Sequence, residues 1–341
     1  MQIGNEGTLV RLVERSLGSE GGQGMLASLA IDARLLEEGG ESVSRAVFAM
    51  ALAIVLADGL RGRVPAAAAY ARRCRDAGAP VAFDHGALRT IRFAQGPTGA
   101  LPAGHEAFAR ILAPLGYHVA ALHPLERLRM TGHAYRHRDL PEAIPQYFVS
   151  ELHIDRFDPA FAEAAHHVFD TSRDPLSSED IALLDTFERE GSAPFSEAVA
   201  GLPRLAAAFD RQHGPIAATD YEALLAQSAE AAWIATEGNA FNHATDRVPD
   251  VEVLADRLRA EGWAIKDRVE VAREGRVRQT ALRADPIERA FVTPRGEEIR
   301  MVPGSFYEFI TREIDPATGA LDLSFDSGNA TGIFAMTRAT A

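Results

Sequence analysis

Two histidines far apart in the chain sit in similar settings, His85 in FDHGALRTIR and His243 in GNAFNHATDRV. A carboxylate follows each at nearly the same interval: Glu151 in QYFVSELHI after the first, Glu308 in GSFYEFITR after the second. Neutral imidazole and carboxylate oxygen together suit divalent first-row metals. Two His and one carboxylate on one face leave coordination positions open, the pattern of non-haem Fe(II) oxygenases. His85, His243 and Glu308 are therefore the expected metal ligands. Strand alternation puts Phe306, Glu308 and Ile310 on one face, and an acid between two inward apolar residues is costly to bury unless a cation meets it. Glu151 stays open between two readings, a fourth ligand by symmetry or a structural acid paired with a nearby arginine. Arg89, four residues after His85, offers a planar fork that grips a carboxylate through two hydrogen bonds. Its plainer reading is a salt bridge to Asp84 or another acid.

These side chains need elements to hold them, and the same order of elements recurs behind each histidine. The stretch HEAFARILAPL places Phe108, Ile111, Leu112 and Leu115 on one helical face and stops at Gly116-Tyr117. The stretch VEVLADRLRAE does the same with Val251, Leu254 and Leu258 and stops at Gly262-Trp263. Glycine just past a periodic helix is the residue that enters the left-handed conformation freely. Strand-like runs follow in both cases. The expectation is an α+β fold in which two βαβββ units close a curved mixed sheet around a shared metal cup. The first unit reads as residues 81–157 and the second as 236–314. Residues 1–80 read as a helical N-terminal segment, 158–235 as an inserted helical layer, and 315–341 as a tail packing on the core. Gln95 to Pro102 reads as a loop, Thr219 and Glu222 as a capping box, and Ser178 as the residue before an acidic helix start. The tail offers strand-like Leu321–Phe325 and a loop, Asp326-Ser327-Gly328-Asn329.

Composition narrows the partners. The net charge is −13, with 35 basic and 48 acidic residues and no basic run; nucleic acid and anionic membrane both require clustered Lys and Arg. The expected partner is a small molecule. Cys74 is the only cysteine, which excludes an intrachain disulfide and a zinc-thiolate cluster and fits a reducing cytoplasm. Met1 to Glu6 is polar and acidic, so no signal peptide is expected. The longest apolar run, Ala46 to Ala57, falls short of the roughly 18 residues a membrane span needs and reads as a buried core helix.

Other constellations weigh less. His133 and His137 in GHAYRH share a metal-like spacing, but Gly132 and the surrounding arginines suggest an exposed loop or edge with no obvious acidic partner. His166 and His167 are adjacent and point apart on a helix. No GxSxG elbow, Walker loop or Rossmann glycine fingerprint occurs, which leaves serine hydrolases and nucleotide binders without support.

With His85, Arg89, His243 and Glu308 in these settings, the chain resembles the 2-oxoadipate dioxygenase/decarboxylase family. That family belongs to the vicinal-oxygen-chelate superfamily, which also holds glyoxalases, extradiol dioxygenases and hydroxyphenylpyruvate dioxygenase. The resemblance runs from about Val81 onward and rests on FDHGALRTI, IPQYFVSEL, GNAFNHATDRV and VPGSFYEFITR taken together. It implies iron ligands at His85, His243 and Glu308 and a substrate-gripping arginine at Arg89. It also implies Fe(II) as cofactor, with Zn or Ni accepted by the same donors, and a 2-oxo acid and O2 as substrates. The implied reaction is 2-oxoadipate to 2-hydroxyglutarate and CO2, a step of lysine catabolism. The chief alternative is a glyoxalase-like metal-dependent isomerase or hydratase on the same fold, favoured if Glu151 is a fourth ligand. A metal-free binding protein that kept the cup is the third reading.

Overall fold

Alanine- and leucine-rich sequence at the start of the chain folds into α1 (Thr8–Leu17), α2 (Ser19–Ser28), α3 (Ala33–Glu37), α4 (Arg45–Arg63) and α5 (Pro65–Asp76), with β1 (Ser42–Ser44) before α4. The computed structural model describes residues 7–326. Met1 to Glu6 and the loop residues Ser327 to Asn329 lie outside the described residues. Helix α4 contains the Ala46–Ala57 run, begins where Ser44 Oγ accepts from Val47 N at 3.2 Å, and is buried along most of its length. A helix apolar nearly all round belongs inside a core, as expected.

The first unit is β2 (Phe83–Arg92), α6 (Glu106–Leu112), β3 (Tyr117–Leu125), β4 (Met130–His137) and β5 (Gln146–His153). Helices then dominate: α7 (Pro159–Phe169), α8 (Ser178–Glu190), α9 (Phe195–Ala207), α10 (Ala218–Leu225) and α11 (Ala229–Glu237), interrupted by β6 (Ser192–Pro194) and β7 (Ile216–Ala217). The second unit is β8 (His243–Arg247), α12 (Val251–Ala260), β9 (Glu270–Val271), β10 (Val277–Ala281), the hairpin β11 (Pro286–Thr293) and β12 (Gly296–Pro303), and β13 (Phe306–Arg312). Gly116 and Gly262 follow α6 and α12 with φ of 91° and 85°, the left-handed residues their sequence positions call for.

Eight strands form one mixed sheet in the order β3-β4-β5-β2-β8-β13-β10-β9. Within each half the first strand pairs in parallel with the last, β2 with β5 and β8 with β13, and β2 meets β8 antiparallel at the centre. His85 sits opposite Thr245 and Ala87 opposite His243, so a pseudo-two-fold axis between β2 and β8 exchanges the two histidines. The α+β architecture with two like halves is as read from the sequence.

Three local details differ from expectation. The second half leaves the sheet for the β11–β12 hairpin, which pairs with β7 in a separate three-stranded sheet. The capping box belongs to Ser177 and Asp180 at the start of α8, whereas α10 begins at Ala218 with Thr219 already inside it. A hydroxyl caps only from outside the first turn, and Thr219 stands two residues past the N-cap position, Ala217. Leu321–Phe325 forms no strand; its β-pairing is limited to the isolated bridge Ile314–Leu321, and arginines hold its backbone carbonyls.

Candidate metal centre

Strand alternation aims His85, Ala87 and Arg89 of β2 at the same face of the sheet, beside His243 and Thr245 of β8 and Glu308 of β13. Glu308 lies opposite Thr245 in register. The result is a buried trio whose donor atoms all lie within 4.8 Å of one another. His85 Nε2 and His243 Nε2 stand 3.2 Å and 3.4 Å from Glu308 Oε2. Thr245 Oγ1 donates to the same oxygen at 2.7 Å. The other carboxylate oxygen, Glu308 Oε1, is buried and has no hydrogen-bond partner. An orphaned buried acceptor is expensive, and a cation between the imidazoles and the carboxylate would satisfy it. The residues present therefore fit a divalent metal.

Neighbouring side chains orient the trio. Asp84 Oδ1 lies 2.8 Å from His85 Nδ1, and Asn242 Oδ1 lies 3.2 Å from His243 Nδ1. With Nδ1–H donated outward, each Nε2 keeps its lone pair toward the cup, the arrangement by which carboxylate or carbonyl partners fix metal-ligating histidines. Asp84 in turn receives Arg312 through both Nε and Nη2 at 2.9–3.0 Å. Burial works against the Asp84 carboxylate, but Arg312 and His85 overrule it and hold its pKa well below the usual range. Burial likewise opposes ionised Glu308, and the two histidines hold it low. His85 is raised, because Asp84 and Glu308 outweigh its desolvation, whereas burial dominates at His243 and lowers it.

Arg89 is fully buried, and its guanidinium lies 5.1 Å from the centre of the Trp233 ring on α11. Burial lowers its pKa to about 10, opposed by the charge of Glu230. It is charged at neutral pH. Arg89, His85, His243, Phe148, Gln279 and Phe325 line one cleft. The tail reaches this cleft because Arg312 Nη1 binds the carbonyls of Asp322 and Ser324 at 2.9 Å and 2.7 Å, and Arg136 Nη2 binds that of Leu323 at 3.0 Å. Phe325 consequently stands edge-on to His85 at 4.9 Å.

Glu151 is not in the cup. Glu308 sits opposite the residue two after His243; the same register in the first half, opposite Ala87, is filled by Phe148. Glu151 lies three residues further along β5, opposite Thr90, on the other face of the sheet. Its Oε2 meets His105 Nδ1 at 3.0 Å and Arg92 Nη1 at 3.5 Å. The matched intervals that suggested symmetry arise from unrelated insertions, the Gln95–Pro102 loop in one half and the β11–β12 hairpin in the other.

The lesser histidines separate. His133 and His137 are buried on β4, not on an exposed loop. His137 accepts the backbone N–H groups of Asp139 and Leu140, and burial lowers its pKa to about 4. His166 and His167 are exposed on α7 beside Asp170 and Asp220. Sequence reading missed the Asp84–Arg312 pair and Thr245. It also missed a visible signal: Arg247 follows His243 by the same four residues that separate Arg89 from His85, marking the same repeat.

Residues 63–320 match the model of the family described as 2-oxoadipate dioxygenase/decarboxylase. The chain belongs to the 2-oxoadipate dioxygenase/decarboxylase family. Members of this family are oxidoreductases. A glyoxalase superfamily protein from Ralstonia eutropha JMP134 is 45% identical with a TM-score of 0.87, over 94% of this chain and 98% of that one. Hydroxyglutarate synthase from Oryza sativa, crystallised with 2-oxoadipate, shares the fold at 18% identity and TM-score 0.66, over 86% of this chain and 93% of that one. Its counterpart from Pseudomonas putida, also with 2-oxoadipate, gives 19% and 0.63, over 88% and 74%. The comparison with curated proteins finds no match. No helix among the described residues is long and apolar enough to cross a membrane.

Proposed function

We propose that this chain is a non-haem Fe(II)-dependent dioxygenase/decarboxylase of 2-oxo diacids, converting 2-oxoadipate and O2 to 2-hydroxyglutarate and CO2. The observation that carries the reading is the composition of the cup. His85, His243 and Glu308 converge, while Phe148 occupies the register of a fourth ligand. Three protein ligands leave room for a bidentate 2-oxo acid and for dioxygen; a glyoxalase-like isomerase built on four ligands loses its fourth donor here. The family match and the two related structures holding 2-oxoadipate support the substrate class.

Bound iron would supply the redox chemistry of oxidative decarboxylation, as cofactor metals do in general. The residues of the chain do the rest. His85, His243 and Glu308 would hold the metal, and Asp84 and Asn242 orient the two imidazoles through their Nδ1 atoms. Arg89 takes a substrate carboxylate through paired hydrogen bonds and aligns the carbon chain against the cup, gaining rate by positioning. Trp233 backs the guanidinium. Phe148 and Phe325 wall the cleft with apolar surface and keep bulk water from the reacting carbon.

The test is anaerobic Fe(II) loading followed by oxygen-electrode measurements across C4–C6 oxo diacids. The reading expects uptake matched by CO2 release, greatest with the C6 acid. Uptake that is absent with every acid, or equal in zinc-loaded protein, refutes it.

A further inference from the structure

On the opposite face of the sheet, Glu151 belongs to a second His/Glu set. His105 at the entry to α6, His133 on β4 and Glu151 on β5 each place a donor atom within 4.8 Å of the others. His133 and Glu151 are 6% and 4% exposed, while His105 lies at the rim. His105 reaches Glu151 Oε2 through both Nδ1 and its backbone N–H, each at 3.0 Å. The backbone is shaped for this approach. Gly104 has φ of 52°, and a Cβ there would overlap the Glu151 carboxylate. His133 Nδ1 is buried with no hydrogen-bond partner.

We propose that His105, His133 and Glu151 form a second divalent-cation site, separate from the cup, that takes a borderline transition ion such as Zn²⁺. Two imidazoles and one carboxylate with a water complete a tetrahedral set, whereas Ca²⁺ and Mg²⁺ want oxygen alone. Burial disfavours a charged His133, and the His105 contacts hold the Glu151 pKa below the usual carboxylate range against burial. In the metal-free arrangement the two rings stack at 3.8 Å, so binding turns the rim-exposed His105 out of the stack. Arg92 Nη1, 3.5 Å from Glu151 Oε2, stands as close to Glu106 Oε1 at 3.4 Å and shifts onto that acid as the ion enters. The ion joins the entry of α6 to β4 and β5. It thereby pins the Gln95–Pro102 loop that follows the strand bearing His85 and Arg89. This site has no contact with the cleft and does not depend on the oxygenase reading.

Equilibrium dialysis of chelator-treated protein against Zn²⁺, with metal quantified by emission spectroscopy, tests the proposal. Two equivalents per chain are expected in the wild type, one in His243→Ala, one in His105→Ala and none in the double variant. His105 lies at the rim, so its replacement leaves the fold intact, which circular dichroism checks; Glu151→Gln serves as the second variant with the same expected loss. Co²⁺ loading adds a spectroscopic signature: the intense bands of tetrahedral cobalt persist in His243→Ala and vanish in His105→Ala. A wild-type equivalent that is lost in His243→Ala and kept in His105→Ala with none beside it, or two equivalents persisting in His105→Ala, overturns the proposal.

Discussion

Replacing Arg312 with methionine removes one partner of a buried ion pair that also anchors the tail. The side chains of Arg312 and Asp84 are 0% and 1% exposed, and the guanidinium donates to both carboxylate oxygens and to two tail carbonyls. Removing one member of such a pair strands the other charge and costs about 3–5 kcal/mol. Arg247 Nη1, 3.8 Å from Asp84 Oδ2, remains as partial compensation, so the lower end, about 3 kcal/mol, is expected. At about 2 °C per kcal/mol for a large chain, Tm falls by about 6 °C. Urea unfolding of the metal-free protein measures the loss. The double variant Asp84→Asn/Arg312→Met recovers about 2 kcal/mol relative to the sum of the singles, because neither charge is then stranded. Proteolysis near Leu323 should also accelerate in Arg312→Met, since the carbonyl anchors are gone. A cost below about 1 kcal/mol, or a cycle additive within about 0.5 kcal/mol, would refute the claim that this pair couples the His85 strand to the tail.

Three further outcomes follow from the same geometry. Arg89→Lys keeps iron but loses the paired grip, worth about 1.5–3 kcal/mol, so KM for an oxo diacid rises roughly 10- to 100-fold in oxygen-uptake assays; unchanged uptake would remove Arg89 from the site. Gly86→Ala, whose added Cβ would overlap the Phe241 ring, costs about 1–3 kcal/mol by overpacking, read as a lower urea midpoint; a midpoint equal to wild type would mean the ring moves freely. Asp246 accepts from Tyr70 Oη and Ala82 N at 2.7 Å and 2.9 Å, and burial raises its pKa from 3.8 to about 6. A carboxyl raised on folding contributes fully below about pH 4, and that contribution is lost as pH rises through about 6. The wild type should therefore lose about 2–3 kcal/mol relative to Asp246→Asn between pH 4 and pH 8; parallel stability profiles would contradict the assignment.

Much of this design is legible in residue order because local chemistry writes it. Periodic apolar helices ended by Gly116 and Gly262, and strands beginning at the two histidines, are enough by themselves to point to a repeated unit. Glu308 is legible because an acid alternating with Phe306 and Ile310 demands a cation. Glu151 misleads for a physical reason: side chains alternate along a strand, so three residues' difference in register from Glu308 sends it to the other face. An interval in sequence carries no information about that face when a loop lengthens one half and a hairpin the other. Asp84 and Arg312 belong to different halves and meet only through tertiary folding, so no local pattern announces them. His133 lacked an evident acid in its own segment because its acid comes from the neighbouring strand.

The most direct test of the central claim is an anomalous difference map at the iron edge from crystals grown anaerobically with Fe(II). The account predicts a peak about 2.1 Å from His85 Nε2, His243 Nε2 and a Glu308 oxygen, with Phe148 outside the coordination sphere. Iron absent from this cup, or held there without His243, would contradict it.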